Sequence, residues 1–213
     1  MRILITGAFG QLGHSLQSVL SKKSNYELVC TGRKIKKGQE GIPLDIRNQV
    51  ALKEIINTTA PDILINLAAM TNVDACELNP KLAGEINVAG LEHICDSFKG
   101  KIIHLSTDYV FDGTSGPYKE DDPLNPISIY GKTKLASEYI LLEKDIKNLV
   151  IRGNVLYDYC PHTSASFLNW VVSSLKGNQE IKVVEDQFNN PTWTRSMSDI
   201  IELSIENDLE GII

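Results

Sequence analysis

The sequence predicts an α/β fold built on a doubly wound parallel sheet, and three observations predict it. Short, almost continuously apolar runs recur along the chain, helical patterns separate them, and a glycine-rich turn joins the first run to the first helix. Strands that read as unbroken apolar runs are buried on both faces, and their alternation with helices covers each face of a parallel sheet. Each strand-helix-strand crossover is then right-handed.

The first strand is Ile3 to Thr6, followed by an amphipathic helix whose Leu12, Leu16, Val19 and Leu20 fall on one face. Further strands are expected at Tyr26–Cys30, Asp62–Ala69, Lys101–Ser106 and Asn148–Arg152, with a short one just before Asp45. Helical patterns fill Gln49–Asn57, Leu82–Phe98 and Pro126–Lys144. Pro126 is expected in the first turn of its helix, where a fixed φ and a missing N–H are tolerated. Beyond about Tyr157 the pattern loosens into a polar loop, a helix near Phe167–Leu175, a short strand Ile181–Glu185 and the loop "NNPTWT". We therefore expect a dinucleotide-binding domain over residues 1–157 and a smaller substrate-binding lobe over 158–213. The closing "LEGII" reads as the opening of another strand, which suggests that part of the lobe lies beyond Ile213.

With 42% hydrophobic and 23% charged residues among 213, the composition is that of a globular protein. A net charge of -6 argues against a nucleic-acid partner, because phosphate binding needs a basic face. No apolar run reaches the roughly 20 residues that cross a bilayer, so no membrane association is expected. Cys30, Cys76, Cys95 and Cys160 show no C-x-x-C spacing, and nothing before the first strand resembles a signal peptide. Reduced thiols in a cytoplasmic protein are the expectation. His14 and His93 lie in helical patterns without metal-ligand spacing, so no metal site is expected.

Gly7, Gly10 and Gly13 are spaced G-x-x-G-x-x-G between a strand and a helix. In a Rossmann fold the first glycine permits the tight turn, the second lets the backbone approach a pyrophosphate, and the third lets helix and sheet pack closely. The helix N-terminus favours the phosphates. A flexible turn without a ligand is the plain alternative. NAD-preferring sites place an acid at the end of the second strand, about 20 residues past the glycines. This chain has Arg33 and Lys34 there. A basic pair suits a 2′-phosphate, so NADPH is the expected cofactor, NADH the alternative, and a solvated basic turn the bland reading. Asp45 has two readings, a partner for the adenine amino group or a helix cap.

Tyr130 and Lys134 are four apart on a helical pattern and so share a face. Spacing alone does not separate a catalytic couple from two polar side chains on a wet face. The chemistry does ask for the couple, because a phenol with a pKa near 10 works near neutrality only if a neighbouring cation favours the phenolate. Thr107 stands just past Ser106 at a strand end, where ligands of open α/β sheets bind, and its hydroxyl suits a substrate carbonyl oxygen.

Together these residues resemble the extended short-chain dehydrogenase/reductases, with T-G-x-x-G-x-x-G at the start, Ser/Thr at a later strand end and Y-x-x-x-K on the next long helix. More narrowly the chain is similar to the dTDP-4-dehydrorhamnose reductases and their sugar-nucleotide-binding relatives. "NLAAMTNVDACE", "STDYVFDG", "YKEDDPLNPISIYGKTK" and "DQFNNPTWT" carry that likeness in order along almost the whole chain. The resemblance implies hydride transfer from NADPH to the C4 ketone of a nucleotide-linked 6-deoxy sugar. It implies that Tyr130 protonates the oxygen, Thr107 orients it, and Lys134 lowers the phenol pKa and binds the nicotinamide ribose. It also implies a wider cofactor-binding set, in which Phe9, Gln11 and Leu12 join the glycine turn, Ile46 follows Asp45, and Leu67, Ala68, Ala69 and Thr71 follow a central strand. A nucleotide sugar is the implied substrate, and a second copy of the chain is a candidate partner.

The likeness weakens after Arg152, where rhamnose-forming members commonly read R-T-S-W-V-Y and this chain reads "RGNVLY", with Val155 in the tryptophan's place. Trp193 is either a stacking surface or loop packing, and Arg195 either a diphosphate ligand or a surface arginine. His104 shares a strand face with Ser106 and reads more simply as a core histidine. Two other functions compete. One is a non-catalytic NADP-binding subunit resembling the regulatory β subunit of methionine adenosyltransferase, and the other is a nucleotide-sugar epimerase.

Overall fold

The computed structural model describes residues 1–144, 147–160 and 166–213, so part of the expected polar loop after Tyr157 lies outside the described residues. The strands are β1 (Arg2–Thr6), β2 (Glu27–Gly32), β3 (Ile42–Pro43), β4 (Ile63–Asn66), β5 (Lys101–Thr107), β6 (Leu149–Gly153), β7 (Leu156–Tyr157), β8 (Thr192–Trp193) and β9 (Gly211–Ile212). The helices are α1 (Gln11–Leu20), α2 (Gln49–Thr59), α3 (Val73–Leu78), α4 (Pro80–Gly84), α5 (Gly90–Ser97), α6 (Ile129–Leu142), α7 (Phe167–Lys176) and α8 (Thr194–Glu206).

Seven strands form one parallel sheet in the order β3-β2-β1-β4-β5-β6-β9. Side chains alternate between its faces. Ile3 and Ile5 of β1 therefore join Leu16, Leu20 and Ile201 of α1 and α8 on one side. Leu4 joins Leu52, Ile94 and Leu141 of α2, α5 and α6 on the other. Burial on both sides is why the strands read as unbroken apolar runs. The order reverses between β1 and β4, and the crevice outside the strand ends at such a reversal is where doubly wound sheets bind ligands.

Several expectations need correction. The run Asp62–Ala69 is a strand only over Ile63–Asn66, and Leu67 to Ala69 continue past its end. Residues Leu82–Phe98 are not one regular helix, because a π-helical turn over Glu85–Ala89 separates α4 from α5. Pro126 is not in the first turn of α6; Ser128 is the N-cap, and its hydroxyl accepts from the Gly131 N–H at 3.0 Å. Ile181–Glu185 is irregular, with Val183 and Val184 exposed. Within residues 158–213, α8 packs on the main sheet with α1, and β9 pairs with β6. The strand read in "LEGII" is β9.

Candidate active site

The glycine turn is as tight as its spacing suggests. Gly7 has φ +70, and a Cβ there would lie 2.7 Å from the Ala68 backbone nitrogen. A Cβ on Gly13 would lie 2.3 Å from the Ala8 carbonyl oxygen, so only glycine lets α1 sit this close to the end of β1. Gly10 is the N-cap of α1, and that helix begins with no side-chain cap and no acidic residue in its first turn. Its positive end faces the crevice with nothing of opposite sign from its own first turn. Gly7, Phe9, Gly10, Gly32, Arg33 and Lys34 line a cleft of about 190 Å³, which brings the turn and the basic pair to one place.

The rest of the expected cofactor set divides. Leu67 and Ala68 are half-buried beside Gly7, with the Leu67 N–H bonded to the Thr6 carbonyl at 3.0 Å, while Thr71 is exposed. Gln11 and Leu12 open α1, with Leu12 buried in the core. Ile46 is buried, and a Cβ on Gly90 would come within 2.6 Å of it. Asp45 is not the cap of α2. Asn48 fills that role through its bond from the Ala51 N–H at 3.1 Å, and the Asp45 carboxylate pairs with Arg47 at 2.7 Å, which holds it below the usual carboxylate range.

At the other side of the crevice β5 ends on Thr107. Its hydroxyl oxygen accepts from the Tyr109 N–H at 3.3 Å and so caps a single 3-10 turn, Asp108–Val110. Tyr130 lies in the first turn of α6, packed edge-on against Tyr109 with ring centroids 5.6 Å apart. Three contacts fix that turn. Glu77 of α3 accepts from the Ile129 N–H at 2.6 Å, Ser128 caps the helix, and Gly131 allows close approach, since a Cβ there would be 2.2 Å from the Tyr109 carbonyl oxygen. The Thr107 hydroxyl donates to the Asp108 carboxylate at 3.2 Å. Burial pushes the Tyr130 phenol up to about 12, with the neighbouring Thr107 hydroxyl pulling it down and the Asp108 charge adding to the rise.

Lys134 departs from the expected arrangement. Its side chain is buried, and Nζ lies 2.9 Å from Nε2 of His104. Burial pushes the amine down to about 7, against the pull of Glu138. In this arrangement burial sets the phenol high, where Lys134 was expected to lower it. His104, read from sequence as a core histidine, is buried as expected and also contacts this lysine.

Two functional groups escaped the sequence reading. Asn87, inside the π turn, is buried; its amide donates to the Met70 carbonyl at 3.1 Å and to Thr133 at 3.0 Å, and its oxygen accepts from the Met70 N–H at 2.7 Å. A π turn at a functional site is a recurring device, but it leaves no mark in helical periodicity. Glu138 is buried below Lys134 and pairs with Arg152, while Ser106 donates to the same carboxylate. Val155 and Trp193 are brought near one another by the β7–β8 pair, where Thr192 N–H meets the Val155 carbonyl at 3.2 Å. Arg195 is engaged by Asp199 at 2.9 Å. Among the described residues no group of His, Cys, Asp and Glu could hold a metal ion, and no helix is long and apolar enough to cross a membrane.

Comparison with known proteins adds four findings. A family model described as the RmlD substrate binding domain matches residues 1–211. The chain is 34% identical to a dTDP-4-dehydrorhamnose reductase of Aggregatibacter actinomycetemcomitans over 99% of its own length and 69% of the relative's. It superposes, at a TM-score of 0.87 and 32% identity, on the crystal structure of a Bacillus anthracis dTDP-4-dehydrorhamnose reductase in complex with NADP, covering 99% of this chain and 72% of that one. It is also 32% identical to methionine adenosyltransferase 2 subunit beta of Xenopus tropicalis, over 93% of this chain and 60% of that protein.

Proposed function

Since the chain belongs to the RmlD substrate-binding-domain family, we propose that it is an NADPH-dependent reductase of the C4 ketone of a nucleotide-linked 6-deoxy sugar, dTDP-4-dehydrorhamnose. The observation that carries this reading is that Thr107 and Tyr130 neighbour one another at the end of β5, the strand next but one to β1, whose end carries the glycine turn. The residues present fit the cofactor. The space a Cβ would fill at Gly7 and the uncapped start of α1 suit a pyrophosphate, and Arg33 and Lys34 on the same cleft suit a 2′-phosphate. When bound there, NADPH supplies the hydride.

The chain's own residues do the rest. Thr107 donates to the ketone oxygen and holds it beside the phenol. Tyr130 gives that oxygen its proton, general acid catalysis typically worth roughly 10² to 10⁴ in rate. The phenol is raised by burial and Asp108, so it stays protonated until the ketone oxygen gains negative charge. Lys134 returns a cation to the neighbourhood of the phenol when its amine is protonated. Residues 158–160 and 166–193 supply the part of the substrate lobe outside the main sheet, with Val155 and Trp193 at its edge. A cytoplasmic location accompanies this reading, consistent with four free cysteines. The second copy of the chain remains a candidate partner, tested by sedimentation.

The test is oxidation of NADPH, followed by its absorbance, in the presence of dTDP-4-dehydrorhamnose. Tight NADP binding without turnover of this or any related 4-keto sugar nucleotide would overturn the reductase reading. It would favour a non-catalytic partner subunit, for which the likeness to methionine adenosyltransferase 2 subunit beta is the specific support.

A further inference from the structure

Lys134, in the reductase reading, is the cation behind Tyr130, yet its amine rests on the imidazole of His104. The hydrogen bonds around that ring determine where its proton is. The Ala68 N–H and the Thr6 hydroxyl both donate to Oδ1 of Asn66, at 3.3 and 2.6 Å. A backbone N–H is only a donor, so it fixes which end of the amide is oxygen. The Asn66 amide nitrogen therefore faces Nδ1 of His104 at 3.1 Å and donates to it. A ring that accepts at Nδ1 cannot be imidazolium and, when neutral, carries its proton on Nε2.

Two groups meet that Nε2–H. Ser137 Oγ lies 3.0 Å away and has its own proton engaged by the Lys134 carbonyl at 2.6 Å, so its lone pairs face the ring. The Lys134 Nζ lies 2.9 Å away. An ammonium has three donors and no acceptor, so it would set N–H against N–H; only the neutral amine has a lone pair to offer.

We propose that His104 is a positioning residue for Lys134: its Nε2–H, fixed by the chain that starts at the Ala68 backbone, holds the Lys134 amine neutral against the floor of the site. Burial independently favours the neutral form of both groups. The charged groups nearest the pair are Glu138 on the same helix, which favours the ammonium, and Arg152 on β6, which occupies that carboxylate. Asn66 of β4 and Ser137 of α6 complete the surroundings. The same Ala68 that crowds Gly7 anchors the chain, so the glycine turn and the state of Lys134 are joined through two side chains. The proposal deepens the reductase reading and rests on it for the catalytic use of Lys134, not for the hydrogen-bond chain itself.

NMR of the ligand-free protein labelled at histidine nitrogens tests this without turnover. The expected result is a neutral His104 with its proton on Nε2, unchanged across the range in which an ordinary histidine titrates. A proton on Nδ1, or an imidazolium, overturns the proposal. Labelling the lysine side chains reads Lys134 in variants. In His104→Leu the amine loses the donor that favours its neutral form, so its titration midpoint rises by roughly one unit, a tenfold gain in proton affinity. His104→Gln, whose amide keeps an acceptor for Asn66 and a donor for the amine, stays near the wild type. A His104→Leu midpoint that is unchanged or lower would mean that the ring accepts from an ammonium, and the proposal fails. If His104→Leu does not fold, the wild-type tautomer and His104→Gln decide. In turnover, the pH midpoint of kcat moves with the NMR midpoint. Wild-type protein that shows the NMR behaviour but reduces no sugar nucleotide refutes the reductase reading and leaves His104's hold on Lys134 standing.

Discussion

Arg152 and Glu138 form a bidentate ion pair inside the protein, Nη2 to Oε2 at 2.7 Å, with their side chains 6% and 1% exposed. The same arginine donates to the Glu120 carbonyl at 2.8 Å and lies over the Phe111 ring, 5.3 Å from its centroid. It therefore fastens the loop between β5 and α6 to the floor of the site. Removing one partner of a buried pair leaves the other charge without compensation, which typically costs about 3 to 5 kcal/mol. Arg152→Met is expected to destabilise by that amount in urea unfolding. Glu138→Gln, which removes the charge but keeps an oxygen acceptor, is expected to cost less.

Tyr130→Phe keeps the ring packed on Tyr109 and deletes the proton donor. kcat is expected to fall roughly 10² to 10⁴-fold, with NADPH affinity nearly unchanged. Stopped-flow NADPH oxidation and fluorescence titration separate the two quantities. Turnover that survives the substitution removes Tyr130 from its assigned role.

Gly131→Ala tests how α6 is seated. The new methyl carbon would stand 2.2 Å from the Tyr109 carbonyl oxygen, backbone against backbone, so one segment must move. Overpacking of this kind costs about 1 to 3 kcal/mol. The displaced turn carries Tyr130, so kcat is expected to fall more than stability does. Thermal unfolding and kcat measured on the same sample check the prediction.

Replacing Arg33 and Lys34 together by serine removes both cations from the cleft they share with Gly7 and Gly10. The Kd for NADPH is expected to rise at least about tenfold, or about 1.4 kcal/mol, while that for NADH changes little. Equal weakening of both cofactors would show that the pair does not read a 2′-phosphate.

Stability should follow Lys134 as pH changes. Burial holds its folded pKa at about 7, below the ordinary lysine value of 10.5. Between those values the unfolded chain binds more protons than the folded one, so stability rises with pH across that window, by at most about 1.4 kcal/mol per pH unit. In Lys134→Met that part of the rise is absent. Chemical denaturation of both proteins from neutral to mildly alkaline pH shows whether the difference grows as stated.

The sheet was legible because each of its parts has a local cause. Gly7 and Gly13 announce a turn that only glycine can make, and apolar runs such as Ile3 to Ile5 announce strands buried on both sides. The positions of Thr107 at a strand end and Tyr130 at the head of a helix were legible, and the structure has them there. What stayed hidden depends on partners distant in sequence. Asn87 acts on Met70 and Thr133, and Glu138 acts on Arg152, through contacts no spacing rule encodes. Lys134 was read correctly as sharing a face with Tyr130, but its direction depends on His104, which is 30 residues away.

Asn87 gives the site a mechanical property. It grips Met70 by both backbone groups and holds Thr133, and Thr133 in turn donates to the Tyr130 carbonyl at 2.8 Å. Met70 sits in the loop that continues from Leu67 and Ala68 beside the glycine turn. A shift of that loop must either break a pair of bonds to one buried amide or drag the first turn of α6 with it. The wall against which a dinucleotide would settle and the backbone that aims the phenol therefore travel as one part.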